Sequence, residues 1–86
     1  MHELSVALEI RRIAEARLAP AELPHLVAVA VEIGDRSGLE PEHLRFCLEA
    51  VFAEPPFTGV RPRLDRLTGD ALRVTYLEVD DGRPDD

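Results

Sequence analysis

His25-Leu26-Val27-Ala28-Val29-Ala30-Val31-Glu32-Ile33-Gly34-Asp35 is the stretch that decides the fold. Its residues alternate with a period of two. Val27, Val29, Val31 and Ile33 share one face, and Leu26, Ala28, Ala30 and Glu32 take the other. That pattern describes a strand with one richly apolar face, closed by Gly34-Asp35. Such a face needs a cover, and the flanking segments supply it. Upstream, Leu4, Ala7, Leu8, Ile10, Ile13 and Ala14 recur at helical spacing, with Glu9, Arg11, Arg12 and Glu15 largely on the opposite side. The spacing predicts an amphipathic helix from Leu4 to Leu18, ended by Ala19-Pro20. Glu22 and Pro24 fall in a short connector. Downstream, Ser37-Gly38-Leu39-Glu40-Pro41 opens a second helix, with Pro41 at the first helical position, where its missing N–H costs nothing. Leu44, Cys47, Leu48, Val51 and Phe52 form its apolar stripe, and Glu54-Pro55-Pro56 stops it.

Val60 to Leu67 reads as a more polar strand, in which Pro62 suits an edge position. Thr68-Gly69-Asp70 is a compact turn, and Ala71 to Asp80 a final strand carrying Leu72, Val74, Tyr76, Leu77 and Val79. The element order is therefore α-β-α-β-β. A helical crossover makes the first two strands parallel if they lie together, and the short turn makes the last two antiparallel. The expected class is α+β, with two helices packed on one face of a three-stranded mixed sheet, the Val27/Val29/Val31/Ile33 face. Residues 1–80 form one domain, and the acidic stretch Asp81 to Asp86 is expected to be a disordered tail. Ala28 and Ala30 leave the other face small and apolar, so a homodimer or partner contact is expected there.

Composition narrows the function. A chain of 86 residues buries only about two thirds of the surface its unfolded form exposes. Trp is absent, and the aliphatic core has Phe46, Phe52, Phe57 and Tyr76 as its bulky members. A deep enzyme pocket is hard to fit in that volume; a shallow or terminal site is easier. The net charge is −7, and ten Arg are scattered among seventeen acids, which argues against nucleic acid and against anionic membranes. The longest apolar run, Leu26 to Val31, is far short of a membrane span. Glu3 and Glu9 sit where a signal peptide would be basic, so a cytoplasmic location is expected. The single cysteine, Cys47, excludes an intrachain disulfide and any Cys-only metal site.

The chemistry-bearing feature is Met1-His2-Glu3. A bulky His at the second position favours retention of the initiator Met with a free α-amine. That amine, the His2 imidazole and the two nearest backbone amides form a four-nitrogen chelate suited to square-planar nickel or copper. The chain has no Lys, so the Met1 amine is its only primary amine. A helix N-terminus disfavours a cation, which biases His2 toward its neutral, ligand-ready form. Elsewhere, His43 and Cys47 are spaced i, i+4, but Cys47 falls in the apolar stripe, where a free thiol behaves as a small hydrophobe. His43 is expected to be a solvated surface residue and His25 to lie in a loop. Glu40 and Glu42 are explained by the dipole of the helix they open. No Ser-His-Asp set, phosphate-binding Gly loop or zinc motif is present, so an enzyme is poorly supported.

The chain resembles the HypA/HybF family of nickel-delivery proteins in [NiFe]-hydrogenase maturation. The resemblance rests on Met1-His2-Glu3-Leu4-Ser5, on Val31-Glu32-Ile33-Gly34-Asp35-Arg36-Ser37-Gly38-Leu39-Glu40-Pro41-Glu42-His43-Leu44-Arg45-Phe46, and on Gly69-Asp70-Ala71-Leu72-Arg73-Val74 with Leu77-Glu78-Val79. It implies Ni(II) held by Met1, His2 and Glu3, the last chiefly through its backbone amide. It also implies a maturation GTPase and a nickel-enzyme precursor as partners. Family members carry a zinc module with two Cys-x-x-Cys pairs between the last two strands. Here Thr68-Gly69-Asp70 occupies that place, so no zinc is expected and docking to those partners is weakened. The competing reading is a non-catalytic protein-interaction or regulatory module of the same fold that carries no metal.

Overall fold

The structure is a computed structural model and describes residues 3–80. Met1, His2 and the acidic tail at 81–86 lie outside the described residues. The order is helix α1 (Glu3–Arg17), a 3-10 turn (Pro20–His25), strand β1 (Leu26–Gly34), helix α2 (Pro41–Val51), strand β2 (Arg61–Leu67) and strand β3 (Leu72–Val79). The α+β expectation is met, with one addition. The connector after α1 winds into a 3-10 helix opened by Pro20, and the Glu22 carboxylate accepts the Ala19 N–H at 2.8 Å.

Strand β1 is central in the sheet order β2-β1-β3. It runs parallel to β2, with Ala28 opposite Arg61 and Gly34 opposite Leu67, and antiparallel to β3, with Ile33 opposite Leu72. The last two strands thus run in opposite directions, as the short turn implies, but they flank β1 instead of pairing with each other. The turn crosses the end of the central strand to reach the far edge.

The helices and one sheet face enclose an aliphatic core. Ala7, Ile10 and Ala14 of α1 and Leu44, Cys47, Leu48 and Val51 of α2 meet Leu26, Val29, Val31 and Ile33 of β1. Phe52 and Phe57 complete it in edge-to-face contact, with ring centroids 4.9 Å apart. Several expectations are corrected. Val27 does not join Val29, Val31 and Ile33; Leu26 does. The cause is a bulge: Leu26 faces Val79 and Ala28 faces Glu78, so Val27 is the extra residue and the alternation reverses across it. Phe46 (67 % exposed) and Tyr76 (44 % exposed) are not core members. Phe46 lies on the outer side of α2, away from the Leu44/Leu48 stripe, and the Tyr76 hydroxyl accepts a hydrogen bond from Arg63. Leu4 and Leu8 of the α1 stripe are also exposed, because the buried side of that helix centres on Ala7, Ile10 and Ala14.

The opposite face of the sheet is not bare. Ala30 is flanked by Arg63 on β2 and Tyr76 on β3, and the guanidinium donates to the phenol oxygen at 2.6 Å, bridging the two edge strands. Arg73 and Glu32 pair at 2.6 Å in the same sheet. Ala28 and Ala30 are therefore buried beneath longer neighbours. The apolar patch on which the sequence reading places a homodimer contact is absent there.

Two substitutions test this packing. Leu48 is fully buried, so Leu48→Ala should cost about 2–5 kcal/mol, read as a lowered denaturation midpoint. Gly34 presents its α-carbon to the Thr68–Asp70 turn; an added Cβ would sit 2.2 Å from the Gly69 carbonyl oxygen and 2.8 Å from the Ala71 nitrogen. Both contacts are backbone and cannot swing aside. Gly34→Ala should destabilise by about 1–3 kcal/mol, and an unchanged melting temperature would contradict the close approach.

Candidate metal centre

Of the three terminal residues singled out above, Glu3 is the one within the described residues. It opens α1, where a carboxylate is favoured by the positive end of the helix. Its side chain does not point idly into solvent. Glu3 Oε2 accepts the backbone N–H of Glu40 at 2.9 Å, and Oε1 lies 3.1 Å from His43 Nδ1. Only 14 % of the Glu3 side chain is exposed. The N–H of Glu40 holds this carboxyl below the usual range, aided by the backbone N–H of Glu3 itself and by the neighbouring His43.

Glu40 is the N-cap of α2, in extended backbone conformation, and its own carboxylate accepts the His43 N–H at 2.9 Å. The two helix starts are thus tied side by side by Glu3, Glu40 and His43. At the other end, Arg11 of α1 donates to the Val51 carbonyl at 2.7 Å and the Pro55 carbonyl at 3.1 Å, while its guanidinium lies 5.1 Å from the Phe57 ring centre. The helices therefore run in the same direction, joined at both ends of α2, and the start of α1 is held against the start of α2.

Both carboxylate oxygens of Glu3 thus already have partners. His43 is exposed, as expected, but it is also joined to Glu3, a link that the sequence reading misses because the two lie far apart in the chain. Cys47 is buried in the core, in agreement with its reading as a small hydrophobe. His25 ends the 3-10 turn, and its carbonyl accepts the Asp80 N–H at 2.9 Å. Among the described residues there is no group of three or more His, Cys, Asp or Glu side chains arranged to hold a metal ion. The groove between α1 and β3, about 380 Å³, is lined by Ile13, Arg17, Val74 and Tyr76 among others and contains no carboxylate or imidazole to serve as an acid or base.

The family model for HypA, described as a hydrogenase/urease nickel-incorporation metallochaperone, matches residues 1–72. Hydrogenase maturation factor HypA from Geobacter sulfurreducens is 39% identical over 69 residues, 80% of this chain and 60% of that protein. The counterpart from Azotobacter chroococcum is 38% identical over 71 residues, 83% of this chain and 63% of that one. The protein of the same name from Albidiferax ferrireducens is 34% identical over 79 residues, 92% of this chain and 70% of its own length. The alignments thus take in about 60–70% of the length of these curated relatives.

The N-cap offers a direct test of how the helix starts are joined. Glu40→Ala removes the acceptor of the His43 N–H and should cost on the order of 1 kcal/mol. The Glu40 N–H that binds Glu3 is retained, so α1 should stay docked and helical circular dichroism should be unchanged at low temperature.

Proposed function

We propose that this chain, which belongs to the HypA family of nickel-incorporation metallochaperones, holds Ni(II) as cargo at Met1, His2 and Glu3 and passes it on during maturation of a nickel enzyme. The client proposed is a [NiFe]-hydrogenase precursor, with a maturation GTPase as the second partner, in the cytoplasm and without catalysis by the chain itself. The observation that carries the reading is the state of Glu3. Its carboxylate is committed to Glu40 and His43, and this anchors the first turn of α1 while the amide stays part of the terminal tripeptide. Nickel would then be bound by the Met1 amine, the His2 imidazole and backbone amides, a nitrogen set that favours square-planar ions.

No helix among the described residues is long and apolar enough to cross a membrane. The exposed Leu4 and Leu8 on α1 and Phe46 on α2 offer apolar contact points to a partner protein. They serve a metal-free interaction module equally well, and a metal titration separates the two readings.

Nickel uptake should be stoichiometric and strengthen as pH rises, because the metal displaces protons from the amine, which titrates near about 8, and from the amides. Copper(II) should bind the same site more tightly, and zinc poorly, since zinc prefers a tetrahedral set. His2→Ala or acetylation of the single primary amine should abolish uptake, whereas Cys47→Ser should not affect it. Acetylated protein that takes up nickel with undiminished affinity would place the site elsewhere. A chelator should strip the metal and leave the helical circular dichroism intact, because the core is continuous without it.

A further inference from the structure

Strand β3 ends the sheet order β2-β1-β3, so one of its edges has no strand partner among the described residues. An open edge is a template for another strand unless something guards it. The opposite edge, β2, is guarded: Pro62 has no N–H to offer, and Arg61, Arg63 and Arg66 outnumber the single acid Asp65. Strand β3 holds no proline, and its one cation, Arg73, is balanced by one acid, Glu78.

Backbone hydrogen bonds set which groups of β3 face its open edge. The Gly34 N–H donates to the Ala71 carbonyl at 2.7 Å, and the Asp80 N–H to the His25 carbonyl at 2.9 Å, so Ala71 and Asp80 turn toward β1. Antiparallel ladders alternate. Counted inward from those two ends, Leu72, Val74, Leu77 and Val79 turn their N–H and C=O groups to the open edge. The two counts meet at a bulge: Val31 lies opposite Val74 and Ala30 opposite Tyr76, so Thr75 and Tyr76 share one ladder position. Leu72, Val74, Leu77 and Val79 also share a face, opposite Ile33, Val31, Val29 and Leu26 on the helix-covered side. Arg73 and Glu78 lie opposite Glu32 and Ala28 on the other side.

A two-fold axis through the Thr75–Tyr76 bulge makes this edge complementary to itself. Val74 then meets Leu77 of a second copy and Leu72 meets Val79, each pair on the helix side with the open backbone groups of both strands facing each other. On the other side Arg73 meets Glu78 of the second copy, and the symmetry repeats that pair. We infer that β3 pairs antiparallel with β3 of a second copy of this chain, about a dyad at the bulge, joining the two three-stranded sheets into one. The pairing also sets Val79 of the second copy against Leu72, which is 39 % exposed. With Val74, Val6, Ile10 and Ile13, Leu72 lines an apolar groove of about 160 Å³ between β3 and α1.

The test uses the full chain, by sedimentation equilibrium over a range of concentrations and by amide hydrogen exchange. Wild-type protein should show a monomer–dimer equilibrium, and the amides of Leu72, Val74, Leu77 and Val79 should exchange more slowly as concentration rises. Glu78→Arg places Arg opposite Arg at both ends of the seam and should weaken dimerisation about tenfold or more. Arg73→Glu places Glu opposite Glu and should do likewise. Mixed one to one, the two variants restore opposite charges at both ends, so the mixture should form heterodimers at a concentration where each alone is monomeric. Arg73 also pairs with Glu32 at 2.6 Å, so circular dichroism melts establish that each variant is folded; if one is not, the wild-type exchange pattern decides. A wild-type chain that stays monomeric at millimolar concentration, a dimer whose slowed amides lie elsewhere, or a mixture of folded variants no more associated than its parts overturns the inference.

Discussion

The burial of β1 is the constraint on which the rest of the structure depends. This strand is hydrogen-bonded along both edges and packed by both helices on one face. It supplies Leu26, Val29, Val31 and Ile33 to the core, whereas the edge strands β2 and β3 contribute partly buried side chains to its margin. Each helix buries a single stripe, and those stripes have no other apolar surface large enough to receive them. Fixing β1 therefore fixes the two helices relative to each other. It also fixes the end of the molecule at which they begin.

That end carries an electrostatic arrangement of its own. Two parallel helix starts place two positive dipole ends side by side, a repulsive pairing unless acids intervene. Glu3 and Glu40 intervene, each accepting a backbone N–H near the start of α2. The same carboxylate that relieves the dipoles also holds His43. Structural need and the proposed metal site thus converge on one residue. The turn at Thr68–Asp70 lies at this end of the sheet as well: the Asp35 carboxylate accepts the Gly69 N–H, and the Arg36 N–H reaches the Gly69 carbonyl. Where the family resemblance implies a zinc module, this chain has a tight turn fastened to the segment that leads into α2.

Much of this was legible in the sequence, for identifiable reasons. The alternation from Val29 to Ile33 and the stripe Leu44, Cys47, Leu48, Val51 are local periodicities, and local periodicity survives tertiary packing. Leu26 and Val27 were not legible, because a bulge reverses the alternation and is set by register against β3, which a pattern confined to β1 does not encode. Phe46 misleads for another reason: hydrophobicity says that an aromatic prefers burial, but the angle it occupies on α2 decides whether it reaches the core. The Arg63–Tyr76 bridge and the Glu3–His43 contact join residues on different elements, so neither leaves a periodic trace. For the candidate site, the terminal tripeptide was visible as a chelate-forming order of residues, while its anchoring to α2 required the fold.

The sheet order also governs the way the chain acquires its structure during synthesis. The central strand is made before either neighbour: β1 is followed by α2, then β2, and only then β3. On emerging from the ribosome, Leu26–Gly34 has two unpaired edges and an apolar face, and it remains an open template until the stretch Arg61–Val79 has followed it out. Both pairings are distant in sequence, so closure is inherently slow next to the formation of either helix. The helices can form early, and α1, β1 and α2, which together supply most of the buried core, precede both edge strands. The junction of Glu3 with Glu40 and His43 joins α1 to the start of α2 alone, so its partners have all been synthesised before either edge strand.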